Sequence, residues 1–285
     1  MTIPGKTISR RAFLGGLGVL TGGAVGGFSY LKWFEPGNFE VTCRRLPLPG
    51  GPFGGRVLHL SDFHASDALN IRLLQTAVDI ALRQNVDAIF LTGDYITDAL
   101  PAGGELGSEL KRLAEHAPVF AVFGNHDGGG WAGYAYRGYS TPDAVGSVLK
   151  NSGVRVLKNG REEIRLPRGK ISVAGIADLW SGAMRPVDCL SKKPEDAPVI
   201  VLSHNPDSKD RLVDWHWDAM LCGHTHGGQC VIPMLGIRPF LPVKDRRFVA
   251  GLYDWNGLKL HITRGVGSLY GLRFNCRPEI SILEI

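Results

Sequence analysis

Short apolar runs, each closed by a polar cluster, recur along the chain from Arg56 onward. RVLHLSD, DAIFLTGD, PVFAVFGNHD and PVIVLSHN are rich in β-branched and aromatic residues, and each ends in Asp, Asn or His. Runs of that length and make-up predict strands. Between them the period changes: Ile71, Leu74, Val78 and Ala81 fall on one face and predict a helix over 70–84. Thr141-Pro142 and Asn205-Pro206 each join a capping side chain to a proline and predict helix starts. Strand alternating with helix predicts α/β layering over the first two thirds. The last third differs, because QCVIP, RRFVAGLYDW, LKLHITRG and EISILEI read as strands with little helix between them. A second, largely antiparallel sheet is the expectation there. Residues 32–55 are punctuated by Pro and Gly, with Phe39, Val41 and Cys43 alternating as in an edge strand. They read as a tether into one body over 56–285.

Composition adds limits. With 44% hydrophobic and 21% charged residues in 285, the chain has the mixture of a globular protein and not of a disordered one. Three of the net +5 charges come from Lys6, Arg10 and Arg11 in the acid-free first 31 residues, leaving +2 for the body. That small excess, with no basic stripe, argues against a nucleic-acid partner. Ser9-Arg10-Arg11-x-Phe13-Leu14 followed by the chargeless, glycine-rich stretch Ala12–Leu31 has the plan of a twin-arginine export signal. Residues 1–31 are therefore expected to engage the twin-arginine export machinery. No clean A-x-A site follows, and twenty uncharged residues can span a bilayer, so the segment also fits an uncleaved signal anchor. The preceding basic residues favour a body on the periplasmic side, free or anchored in the inner membrane. A plain anchor holding the body at the cytoplasmic face is the alternative. Cys43, Cys189, Cys222, Cys230 and Cys276 are too scattered for a disulfide framework and contain no C-x-x-C pair, so they read as small buried apolar residues.

The polar ends of the apolar runs form an ordered set: Asp62-x-His64, Gly93-Asp94, Gly124-Asn125-His126-Asp127, His204 and Gly223-His224-x-His226. Ligands of open α/β sheets gather beyond strand C-termini, where these residues fall. Carboxylate, imidazole and amide carbonyl are the donors that borderline divalent metals accept, and one carboxylate can bridge two ions about 3.5–4 Å apart. Gly93, Gly124, Gly223 and Gly227 would allow close approaches that a Cβ obstructs.

In this order the motifs resemble the calcineurin-like metallophosphoesterase superfamily, whose pattern is D-x-H, G-D, G-N-H-D/E, H, G-H-x-H; the match runs over residues 56–285. FEPGNFE, LSHNPDSKD, LCGHTHGGQ and TRGVGSLYGLRFNCRPEI resemble, more narrowly, the YaeI-type bacterial phosphodiesterases, which also carry twin-arginine leaders. The resemblance implies a four-layer α/β/β/α sandwich of two mixed β-sheets flanked by helices. It implies two divalent metal ions (Mn, Fe or Zn), one on Asp62, His64 and His226, the other on Asn125, His204 and His224, with Asp94 bridging. It further implies hydrolysis of a phosphodiester or phosphoanhydride small molecule, lipid-linked ones included, by in-line attack of a metal-bridging hydroxide. His126 would then sit over the phosphate and stabilise charge or protonate the leaving oxygen, oriented by Asp127; a helix cap is the other reading of Asp127.

Some positions depart from the pattern or stay open. Relatives often carry an arginine after G-N-H-D where this chain has Gly128, and Arg137 is the candidate replacement. The aromatic stretch 128–140 either covers the substrate or packs on the surface. Arg264 and Arg273 would reach a substrate phosphate or form surface salt bridges, and Asp178 and Trp180 would border the site. His59 and His261 read as core or strand residues, His116 and His216 as exposed. The rival enzyme reading is a UDP-2,3-diacylglucosamine pyrophosphatase of lipid A biosynthesis. A non-catalytic scaffold of the same fold would have lost ligand positions, and this chain keeps them all.

Overall fold

The computed structural model describes residues 26–285 apart from Arg137, Lys193 and Glu195. The leader up to residue 25, and Arg137 as a phosphate contact, lie outside the described residues. Strands β1 (Glu40–Arg45), β2 (Arg56–Leu60), β3 (Ala88–Thr92), β4 (Val119–Val122) and β5 (Arg155–Val156) belong to one sheet. A second sheet takes β6 (Gly160–Leu166), β7 (Gly169–Gly175), β8 (Val199–Leu202), β9 (Ala219–Cys222), β10 (Gly251–Trp255) and β11 (Leu258–Ile262). The last strand, β12 (Glu279–Glu284), returns to the first sheet, so the orders are β1-β12-β2-β3-β4-β5 and β10-β11-β9-β8-β7-β6.

The continuous apolar runs are explained by burial on both faces. Between the sheets, Val57, Phe90 and Phe120 meet Val173, Ile200 and Leu221. On the outer face of the first sheet, Leu58, Leu60, Ile89 and Leu91 lie under α1 (Ala68–Ala81) and α2 (Glu105–His116). Asp67 opens α1 by accepting hydrogen bonds from the Leu69 and Asn70 amides, and Leu74, Val78 and Ala81 are buried as the spacing predicts. The short α3 (Gly130–Tyr136) follows β4, and α4 (Asp143–Asn151) buries Val145 and Leu149. The outer face of the second sheet is covered more thinly, by α5 (Val187–Leu190), Trp217 and Phe248 over Val199, Val201 and Met220. The layers are thus α/β/β/α. Among the described residues no helix is long and apolar enough to cross a membrane.

Several expectations change. The second sheet is not largely antiparallel: β7, β8, β9 and β11 run parallel, and only the outer pairs β6/β7 and β10/β11 are antiparallel. Nor does the last third form a sheet of its own, because β12 inserts between β1, to which it is parallel, and β2, to which it is antiparallel. Its residues Glu279–Leu283 are all buried, which fits a central slot and no edge. QCVIP forms no strand; Cys230 makes a single bridge to Phe274. Asn205 does cap its segment, accepting from the Asp207 amide at 2.9 Å at the start of Pro206–Arg211. Thr141 does not, since its hydroxyl donates to the Asp143 carboxylate at 2.7 Å. In residues 32–55 the edge strand is β1, and Leu46, Leu48 and Phe53 are buried in the inter-sheet core, which makes this stretch part of the body. Cys43 is exposed, unlike Cys189, Cys222 and Cys276.

Candidate metal centre

The loops that leave β2, β3, β4, β8 and β9 carry Asp62 and His64, Asp94, the Asn125–Asp127 turn, His204, and His224 with His226, all of them buried. Backbone hydrogen bonds tie the first two loops together, Asp62 N to Gly93 O at 2.9 Å and His64 N to Asp94 O at 3.0 Å. Asp62, His64, Asp94, His224 and His226 all adopt left-handed backbone, with φ of 57, 50, 56, 68 and 49°. Each such residue costs on the order of 1–2 kcal/mol. In return the chain turns back within a residue and aims neighbouring side chains into one space. Close approach explains two glycines: a Cβ on Gly124 would strike the Asp94 carboxylate, and one on Gly223 the side chains of Ser61 and Asp62.

Three groups of donor atoms result: Asp62 with His64 and His226, Asp94 with His204 and His224, and, sharing a member with each, His64 with Asp94 and His126. His226 Nε2 lies 3.3 Å from Asp62 Oδ1 and 3.1 Å from His64 Nε2. His204 Nε2 lies 3.1 Å from both Asp94 Oδ2 and His224 Nδ1. Asp94 Oδ2 is also 3.7 Å from His64 Nε2, so this carboxylate stands between the first two groups. His64 Nδ1 and the Thr97 hydroxyl lie 3.2 Å apart. His204 Nδ1 donates to Thr92 O at 2.7 Å and His224 Nε2 to Pro242 O at 3.1 Å, which fixes the tautomers of these two rings. Their inward nitrogens therefore present lone pairs, and two lone pairs at 3.1 Å need a proton or a metal ion between them. Asn125 Oδ1 is buried without a partner, as a ligand oxygen awaiting a cation would be.

Electrostatics agrees with that donor set. Burial pushes His64 and His224 down to about 3 and His226 well below the usual histidine range, which keeps them in the neutral form that ligates metals. His204 goes the other way: burial opposes its charge, but the Asp94 carboxylate outweighs burial and raises it to about 10. Burial raises Asp62 to about 7. A cluster that has to hold a proton on a buried histidine is one built around positive charge.

His126 stands beside the first two groups. Its amide donates to Asp94 Oδ1 at 2.9 Å, its Nδ1 donates to Thr97 O at 2.7 Å, and its ring centre is 4.9 Å from that of His64. Asp127 does not orient it, contrary to the expectation, and caps no helix. Its carboxylate accepts from the amides of Asp94 at 2.9 Å, Tyr95 at 2.7 Å and Gly124 at 2.7 Å, and so clamps the β3 loop to the β4 loop. The 128–140 stretch lies over the site: Trp131 and Tyr136 of α3 have ring centres 4.9 and 4.4 Å from that of His126. Trp180 continues this wall, 5.2 Å from Trp131 and 4.6 Å from His224. Asp178, raised by burial to about 6, keeps one unpartnered oxygen and lines a cavity of about 270 Å³ with Gly124, Lys158 and Ser181.

Neither arginine is free for a phosphate. Arg273 is fully buried and donates to the carbonyls of Arg264, Gly265, Gly267 and Cys276, while Arg264 is held by Glu279 and Glu40. His59 and His261 are core residues, with Nδ1 atoms 3.0 Å apart between the sheets; His116 is exposed and His216 half-buried. Sequence reasoning missed Thr92, Thr97 and Pro242, which hold the ligand rings. Two of them act through a backbone carbonyl, and a carbonyl has no residue signature.

Known proteins resemble this chain in sequence. Residues 55–228 match the family model described as calcineurin-like phosphoesterase. The chain is 41% identical to phosphodiesterase YaeI of Escherichia coli, over 98% of this chain and 99% of that protein. It is 30% identical to the uncharacterized metallophosphoesterase YkuE of Bacillus subtilis, over 98% of each. With the UDP-2,3-diacylglucosamine pyrophosphatase LpxG of Chlamydia trachomatis it shares 24% identity, over 88% of this chain and 90% of that one. Donor set, fold and these likenesses agree: the chain belongs to the calcineurin-like phosphoesterases and is a hydrolase of phosphoric ester bonds.

Proposed function

We propose that the centre hydrolyses a phosphodiester, with Asp62, His64 and His226 holding one divalent ion, Asn125, His204 and His224 a second, and Asp94 shared between them. The observation that carries this reading is the pair of inward nitrogens on His204 and His224, 3.1 Å apart, each ring pinned from behind by a backbone carbonyl. Asp94, within reach of both groups, supports its shared role. When bound, the two ions supply positive charge for the phosphate oxygens and lower the pKa of water.

The chain's own residues do the rest. Thr97 O holds the His126 proton at Nδ1, so Nε2 is the end that meets the ester and serves its leaving oxygen. Asp127 fixes the backbone that presents Asp94. Trp131, Tyr136 and Trp180 exclude water and offer faces to an apolar or aromatic ester group.

A phosphoanhydride on a lipid-linked substrate is the second reading, favoured by the likeness to LpxG. One screen separates the two. The metal-stripped enzyme, resupplied with Mn²⁺, Fe²⁺ or Zn²⁺, is offered bis-aryl phosphodiesters, phosphomonoesters, nucleotides and UDP-diacylglucosamine. Metal-dependent turnover of the diesters is expected. Turnover confined to UDP-diacylglucosamine would favour the second reading, and no turnover with any metal would refute both.

A further inference from the structure

The segment after the metal-bearing β9 loop contradicts ordinary surface chemistry. Ile232 N donates to Ile237 O at 3.0 Å and Gly236 N to Ile232 O at 3.1 Å, which closes a tight turn with Met234 and Leu235 at its tip. Met234 holds a left-handed φ of 65° and is wholly exposed, and Leu235, Ile237 and Phe240 are exposed beside it. A self-supporting turn that spends backbone strain to keep apolar side chains in water is built for a contact.

The apolar surface does not stop at the turn. Val231 N donates to Phe274 O at 2.9 Å, Arg273 N to Leu31 O at 3.1 Å, and the Tyr30 ring edges onto Phe274. These contacts link the base of the turn to the 28–34 segment, where Phe28, Trp33 and Phe34 are exposed. No acid occurs from Gly228 to Lys244 or from Gly26 to Phe34, and both stretches carry basic residues, Arg238, Lys244 and Lys32. The second stretch overlaps the chargeless run Ala12–Leu31, long enough in sequence to span a bilayer. Aromatic and basic residues beside such a run are the composition of a membrane–water boundary.

We infer that this face, formed by the 232–240 turn and the 28–34 segment, docks on the surface of a bilayer containing anionic phospholipid. The geometry also orients the site. The turn's return arm supplies Pro242 O to His224, and on the other flank Lys32 donates to Tyr270 O at 2.9 Å. Tyr270 belongs to the Leu269–Gly271 turn, where Leu269 donates its amide to Gln229 Oε1 and accepts from Gln229 Nε2, and Gln229 comes three residues after His226. The two docking segments thus flank the mouth of the metal centre, and the enzyme would take its ester from the membrane surface.

The test uses the full chain in vesicles of phosphatidylethanolamine and phosphatidylglycerol. A benzophenone amino acid replaces Leu235, Phe240 or, as a control, the exposed Val187 of α5. Irradiation should give lipid adducts at 235 and 240 and none at 187. Adducts only to protein, or equal lipid labelling at 187, would overturn the inference. A second measurement rests on the phosphodiesterase reading, while the first does not, so the two failures are distinguishable. Met234→Asp with Leu235→Asp should leave turnover of soluble bis(4-nitrophenyl) phosphate unchanged. The same variant should cut turnover of a vesicle-embedded phosphodiester at least about tenfold, since each buried apolar side chain is worth a factor of that order. Equal turnover of the embedded ester by parent and variant would count against docking as the way the ester is reached.

Discussion

His224 and His226 sit one residue apart yet belong to different donor groups, because both take left-handed backbone and Thr225 between them does not. Their losses should differ. His224→Ala is expected to lower occupancy of one ion and His226→Ala of the other, read by metal analysis and by the spectrum of a Co²⁺-substituted protein. His126→Ala should bind both ions and lose about 10²–10⁴-fold in turnover. Metal content that falls along with turnover in His126→Ala would make it a ligand and not a proton carrier. The ligand positions were legible in the sequence because Asp, His and Asn, each a weak signal alone at the end of an apolar run, occur here together in a set order. Arg273 was not: a long cation reads as surface, and only the fold reveals that four carbonyls surround it.

Among elements, the loops after β3 and β4 act as one unit through Asp127. Its carboxylate replaces the backbone partners that the Asp94, Tyr95 and Gly124 amides lack in the absence of a ladder. Asp127→Asn keeps the shape but turns one acceptor into a donor facing amide hydrogens, at a cost of about 1–3 kcal/mol. A lower Tm is expected, with metal affinity weakened by about 10–100-fold as for other residues that orient ligands. Unaltered metal titration curves would show that the clamp does not position Asp94. The sequence located α1 to within a few residues because its period is a local signal, while the Asp67 cap that starts it went unread. It misassigned β12 because the choice of partner, β2 over a neighbour in the last third, is settled by space between strands far apart in sequence.

At the scale of the molecule, the His59–His261 pair joins the two sheets through their shared core. Burial depresses both, His59 well below the usual range and His261 to about 4. The sign follows from that depression: the folded state resists protonation, so the stability is fully present above the unfolded value of about 6.5. It is lost as pH falls towards 4. From His261 alone the loss at pH 5 is about 2 kcal/mol. Urea unfolding of the metal-free chain at pH 7.5 and pH 5 should show it, and a His59→Leu/His261→Leu chain should lose less between those values. Equal losses in the two chains would assign the effect to the buried histidines of the metal centre or to carboxylates elsewhere.

The position of β12 sets an order of events. Val57 of β2 pairs with Leu283, and Asp62 follows β2 directly, so the first sheet cannot be completed beside the metal centre until the far end of the chain arrives. Such long-range closure is slow compared with local helix formation. A chain emerging from the ribosome therefore has its candidate ligands His204, His224 and His226 only late in synthesis, and the strand that completes the first sheet later still. On the proposed assignment of ligands, the ions would meet a nearly finished protein and not an unfinished one.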